Sequence, residues 1–167
     1  MGLPLGGAVP IFISSYVLLV SFVVYLGCWH KLLSMSASLR DRIRASLLHT
    51  LDSCGLNDKY LVKVEYPSPL GSAIRESERK VDIAVLQKDG KPYLFIECKE
   101  QKTSGSTEDK LFRALEEAKR DRLLGVHSIV VFSGPGFRQS YERWAMVEGF
   151  VHEKYASLWL ERFFCRR

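Results

Sequence analysis

The 167-residue chain reads as an α/β domain: a mixed sheet flanked by helices and preceded by an apolar N-terminal helix. Three observations predict it. Two runs rich in β-branched and aromatic residues, Val81-Asp82-Ile83-Ala84-Val85-Leu86 and Tyr93-Leu94-Phe95-Ile96-Glu97-Cys98, flank Asp89-Gly90. Asp-Gly is a strong two-residue hairpin signal because both turn positions need positive φ. Further on, His127-Ser128-Ile129-Val130-Val131-Phe132-Ser133 is a short apolar run bounded by glycines, as expected of a buried strand reached through a crossover helix. The expected order is helix, three-strand antiparallel meander, crossover helix, then a strand parallel to its neighbour.

Residues 8–29 contain no charged side chain and are almost wholly apolar. Roughly twenty such residues are what a helix needs to cross a bilayer. Tyr25 and Trp29 stand near its end, and His30, Lys31, Arg40, Arg42 and Arg44 follow, while the N-terminal flank carries no basic side chain. The positive-inside rule then anchors the chain with its C-terminal part in the cytoplasm. A cleaved signal peptide fits less well, because a basic leading segment is absent. Alternatively Met35 is the biological start, and the protein is soluble and cytoplasmic. Residues 1–34 are accordingly set apart from a domain at 35–167.

Ser36 or Ser38 caps a helix with Leu39, Ile43, Leu47, Leu51 and Cys54 at near four-residue spacing, and Gly55 is its stop. Tyr60-Leu61-Val62-Lys63-Val64-Glu65-Tyr66 alternates as a strand, and Pro67-Ser68-Pro69-Leu70-Gly71-Ser72 is a loop by composition. Thr107 caps the crossover helix, with Leu111, Phe112, Leu115 and Ala118 as its buried stripe and Gly125 as its end. Residues 139–152 read as a helix or helix pair. The aromatic tail around Trp159, Phe163 and Phe164 reads first as core filling, or else as a surface for bases or a dimer partner. Net charge is +5 with a pI of about 9.1, which suits a polyanionic partner. Cys28, Cys54, Cys98 and Cys165 show no Cys-x-x-Cys or Cys/His metal spacing and read as reduced thiols.

With Asp89 and Gly90 as the loop, Lys88 faces Lys91, Gln87 faces Pro92, and Asp82 faces Glu97. Pro92 then falls at a non-hydrogen-bonded pair, where its missing N–H costs nothing. Opposed residues carry Cβ atoms about 5 Å apart. Two carboxylates that close repel unless a cation lies between them, which asks for a divalent metal. Lys99, two residues after Glu97, projects from the same face.

The spacing of Asp82 and then Glu97-Cys98-Lys99 resembles the PD-(D/E)XK nuclease superfamily, with its restriction-endonuclease-like core. The resemblance implies that Asp82 and Glu97 hold one or two Mg2+ ions, with Mn2+ expected to substitute. It implies that the Cys98 backbone carbonyl assists and that Lys99 positions or activates the attacking water. It extends to Gln101 and Gly105-Ser106-Thr107-Glu108-Asp109-Lys110, since many restriction-type members continue Glu-x-Lys-x-Gln. Val81 stands where a proline often precedes the aspartate. The resemblance covers roughly residues 36–134 and implies a metal-dependent DNA endonuclease, restriction-type or homing-type. The alternative is a catalytically idle DNA-binding or assembly module on the same fold.

The Gln101 amide would bind a water or a phosphate oxygen, or else is a plain surface glutamine. Glu65 reads as a further carboxylate near Asp82 or, more simply, as a solvated strand end. Arg75, Arg79 and Lys80 lie in a charged stretch that is either a solvated loop or a set of phosphate contacts. Lys102 and Lys110 flank the proposed site and complete the DNA-binding candidates. A domain of this size leaves little room for a separate reading module, so a homodimer or a partner subunit is expected.

Overall fold

Helix α1 (Leu39–Ser53) forms because Leu39, Ile43, Leu47 and Leu51 recur on one stripe, and all four are buried. Its N-cap is Ser38, whose Oγ accepts the Asp41 N–H at 3.2 Å. Gly55, at φ +64°, turns the chain out of it. The computed structural model describes residues 37–72, 78–103 and 108–165. Residues 8–29, Met35, Arg75 and the Gly105-Ser106-Thr107 turn lie outside them. Among the described residues no helix is long and apolar enough to cross a membrane.

The sheet runs β1 (Tyr60–Pro67), β2 (Lys80–Gln87), β3 (Pro92–Glu100), β4 (His127–Ser133) and β5 (Val151–His152), in that spatial order. β1–β2 and β2–β3 are antiparallel; β3–β4 and β4–β5 are parallel. Helix α2 (Glu108–Leu123) is the crossover between β3 and β4. It is followed after β4 by α3 (Gln139–Val147), and α4 (Ala156–Phe164) closes the chain beyond a short 3-10 turn. The meander, crossover and parallel strand agree with expectation. The stretch 139–152 does not remain helical: Gly149 at φ +86° ends α3, and Val151 and His152 add a fifth strand beside β4.

The hairpin reaches the expected register at the site by another route. Gly90, at φ +84°, is left-handed, whereas Asp89 is not. The loop is therefore three residues, Lys88-Asp89-Gly90, closed by Gly90 N–H to Gln87 O at 2.9 Å and by Gln87 N–H to Lys91 O at 2.9 Å. That places Pro92 opposite Leu86, not Gln87, one residue out of the predicted pairing. A bulge between Val85 and Leu86 skips Tyr93 and restores the register, so Val85 faces Leu94 and Ile83 faces Ile96. Tyr93 is accommodated because its ring packs between Tyr60 at 4.9 Å and Phe163 at 5.7 Å.

One face of the sheet (Ile83, Val85, Leu94, Ile96, Ile129, Val131) packs on α1 and α4, with Trp159, Phe163 and Phe164 sealing the edge as core filling. Val130 and Phe132 pack on Leu111, Ala114, Leu115 and Ala118 of α2. Phe112 leaves that stripe; it is half exposed and meets Trp144 at 4.6 Å. The thiol expectation is corrected for two of the cysteines. Cys54 and Cys165 form a disulfide, Cα–Cα 5.7 Å, joining the C-terminal ends of α1 and α4, while Cys98 is free.

Candidate active site

The sheet alternation breaks at one step, and that step carries Asp82. Tyr60, Val62, Ile83 and Val85 pack with α1 and α4. In regular strands Tyr66 and Val81 would share that face. They pack instead with Ala84, Leu86 and Phe95. Between the facing pairs Val64–Ile83 and Tyr66–Val81 lie Glu65 and Asp82. Glu65 has φ +47° and is the sole non-glycine residue at positive φ among the described residues. A left-handed glutamate is strained by about 1–3 kcal/mol and persists only where its surroundings fix it.

On its other side β2 pairs with β3 only as far as Ile83–Ile96. One step further the same register sets Asp82 abreast of Glu97, but the backbone ladder has ended. The Asp82 side chain takes over: its Oδ2 accepts the Cys98 N–H at 2.7 Å. A carboxylate thus stands where a strand carbonyl would, and it locks Asp82 to the residue between Glu97 and Lys99.

Glu97 and Lys99 share a face of β3, and Lys99 Nζ meets Glu97 Oε1 at 2.5 Å, with side chains 22% and 17% exposed. The second carboxylate oxygen, Glu97 Oε2, is buried and accepts no hydrogen bond. An unsatisfied buried acceptor costs roughly 1–3 kcal/mol, more when charged. Burial pushes the Glu97 carboxyl up from its ordinary range; the Lys99 charge opposes this, and the Asp82 charge adds to it. Burial, helped by Asp82 and Glu97, also pushes the Cys98 thiol far up, so it stays neutral.

These residues fit a divalent metal of the magnesium kind. Among the described residues no three or more His, Cys, Asp or Glu side chains converge as a cage. Asp82, Glu97 and a carbonyl leave most positions to water and phosphate oxygens, which suits Mg2+, a cation that keeps several waters. Glu97 Oε2 is an orphan acceptor of the kind such an ion would satisfy.

The Glu97 side opens into a cleft of about 220 Å³ lined by Arg79, Lys80, Lys99, Lys110, Arg113 and Glu117. Lys80 and Lys110 are exposed there, and Lys102 is exposed on the turn after β3. Arg79 is different from the expected free cation. Its side chain is 9% exposed, and Nη1 holds Asp121 through both oxygens at 2.8 and 2.9 Å and Glu117 at 3.4 Å. Asp121, itself buried, also accepts from Ser128 Oγ at 2.9 Å. Arg79 therefore bolts β2 to α2, under the cleft.

Gln101 does not continue the Glu97–Lys99 face, because β3 ends at Glu100. It is buried, and its Nε2 donates to Thr103 O at 3.0 Å. Its backbone carbonyl accepts Gly136 N–H at 2.9 Å, and a Cβ on Gly134 would run into that carbonyl. The glutamine thus organises the loop beside the site. Asp41 and Asp52 serve local contacts, with Ser38 Oγ at 2.6 Å and Asn57 Nδ2 at 2.6 Å.

Sequence reading missed two groups that the tertiary structure brings close. Arg40 reaches Glu65 at 2.5 Å. Arg42 holds Glu153 at 2.6 Å and Glu100 at 3.1 Å, and Ser133 donates to Glu153. The available signal was electrostatic: arginines in the opening turns of a helix work against its dipole, so something else retains them.

The hairpin of a mixed sheet thus presents two carboxylates and a lysine at the end of its ladder, a set of groups able to hold a divalent cation. The chain belongs to the PD-(D/E)XK nuclease superfamily: the model of that superfamily's domain matches residues 36–159, most of the chain. Among solved structures, the chain is similar to the crystal structure of a protein of unknown function, AF1548, at 17% identity with a TM-score of 0.37. The match covers 69% of this chain and 57% of that one. No curated protein matches.

Proposed function

We propose that the protein is a metal-dependent DNA endonuclease, of the restriction or homing type, with Asp82, Glu97 and the Cys98 carbonyl as metal ligands and Lys99 as the catalytic cation. The observation that carries this is Glu97 Oε2, a buried carboxylate oxygen without a partner, beside Lys99 and abreast of Asp82 one step beyond the last ladder pair. Held by Asp82, Glu97 and the Cys98 carbonyl, Mg2+ would supply positive charge for the phosphate oxygens and acidify water. Asp82 is fixed by the Cys98 N–H, so its carboxylate needs little reorganisation to serve. Lys99, held on Glu97, orients the attacking water and offsets charge growing on the phosphate. Lys80 and Lys110 in the cleft, with Lys102 on the following turn, take neighbouring phosphates of the strand. Gln101 acts at one remove, by holding the loop.

Nicking of supercoiled plasmid by the full-length protein tests this, with Mg2+ or with chelator. Cutting is expected with Mg2+ only, and Lys99→Ala should slow it by about 10²-fold or more while the melting curve stays cooperative. DNA binding without any cutting of supercoiled, branched or single-stranded substrates would overturn the endonuclease reading in favour of a binding module.

A further inference from the structure

The cations around the carboxylates are mostly committed. Lys99 holds Glu97, Arg79 holds Asp121, and Arg42 holds Glu100 and Glu153. Arg40 stands apart from these. Its Nη1 reaches Glu65 at 2.5 Å, but its Nε is buried without a hydrogen-bond partner, with Asp41 Oδ1 3.9 Å away. The guanidinium is held above its ordinary pKa first by the Glu65 hydrogen bond; burial opposes, and the charges of Glu65, Asp41 and Asp82 add to it. Arg40 therefore lies within the field of Asp82. The same guanidinium charge is also felt at Cys98.

Its partner is peculiar too. Glu65 is the residue at φ +47°, on the register step of Asp82, and its side chain is mostly exposed. An exposed ion pair is worth little by itself, so stability does not explain why strained backbone and a buried donor meet here. A guanidinium fork with one edge unfilled matches a phosphate, which takes two parallel N–H bonds.

We propose that Arg40 is a further substrate-binding residue, whose part-exposed guanidinium, unfilled at Nε, holds a backbone phosphate of DNA beside Asp82 while Glu65 keeps it in place in the free protein. The identity of the anion rests on the endonuclease reading above. The role is positioning: Arg40 sets the strand against the carboxylates, and it makes no contact with the reacting atoms.

The test is binding of a fluorescein-labelled duplex to the full-length protein in Ca2+ over a series of salt concentrations, for wild type, Arg40→Ala and Arg40→Lys. Arg40→Ala is expected to weaken binding on the order of tenfold and to reduce the slope of log K against log salt by about one. Arg40→Lys keeps the charge but not the fork, so it should restore the slope and only part of the affinity. A merely structural arginine would lower the melting temperature and leave the slope alone. Unchanged slope and affinity in Arg40→Ala, or full affinity in Arg40→Lys, overturns the proposal even if the wild type cuts DNA in Mg2+. Loss of slope in a protein that binds but never cuts keeps Arg40 as a phosphate ligand and overturns the endonuclease reading alone. A wild type that does not bind DNA overturns both.

Discussion

Glu97 has to be a carboxylate to hold a metal, yet it lies where a carboxylate is costly. Burial favours its neutral form; the Lys99 charge opposes this, and the smaller repulsion from Asp82 adds to it. The folded protein thus binds the Glu97 proton more tightly than the unfolded chain does. As pH rises from the ordinary glutamate value of 4.5 toward the raised folded value, this group removes stability from the metal-free protein. A metal must displace the same proton, so the gain in melting temperature on adding Mg2+ should be larger at pH 8 than at pH 5. Thermal melts at the two pH values, with and without Mg2+, check this. Equal gains would mean that Glu97 is not the ligand that titrates.

At the scale of elements, the site depends on how β2 is held on both flanks. Toward β1 it faces the left-handed Glu65 of that strand, and toward β3 its ladder ends one step before Asp82. The segment that leads into Asp82 is fixed from below by Arg79, which ties the start of β2 to Asp121 of α2. Asp121 is 1% exposed, so removing its cation strands a buried charge. Arg79→Ala should therefore destabilise by about 3 kcal/mol, measured by urea unfolding. A loss below about 1 kcal/mol would show that Asp121 finds water or another donor. Arg79→Met, which fills the space without the charge, should be no more stable, because Asp121 remains.

Over the whole molecule, α1 and α4 cover one face of the sheet and are joined at their ends by Cys54 and Cys165, 111 residues apart in sequence. Tying so long a loop restricts the unfolded chain, an effect on the order of 4 kcal/mol in the entropic description. Cys54→Ser should lower the melting temperature of the oxidised protein, and a reductant should lower that of the wild type to a similar value. If reductant leaves the wild type unchanged, the pair does not staple the helices in solution.

Much of this fold was legible in the chain. The stripe Leu39, Ile43, Leu47, Leu51 specified α1, the run 127–133 specified a buried parallel strand, and the spacing of Asp82, Glu97 and Lys99 carried the resemblance to the superfamily, because side-chain periodicity and charge spacing are local properties. The hairpin register at the site was also correct, although the turn and the bulge each depart from the simple pairing by one residue and cancel. The sequence carries the Asp-Gly signal, but only Tyr60 and Phe163, far away in the chain, make a place for the extra Tyr93. What the tertiary structure alone decided is which charges meet: Arg79 with Asp121, Arg42 with Glu153, Arg40 with Glu65, and Cys54 with Cys165. These partners lie 25 to 111 residues apart, and no local pattern encodes such a meeting. Hydrophobic burial brings the elements together without regard to charge, and the polar groups then pair with whatever that packing places within reach.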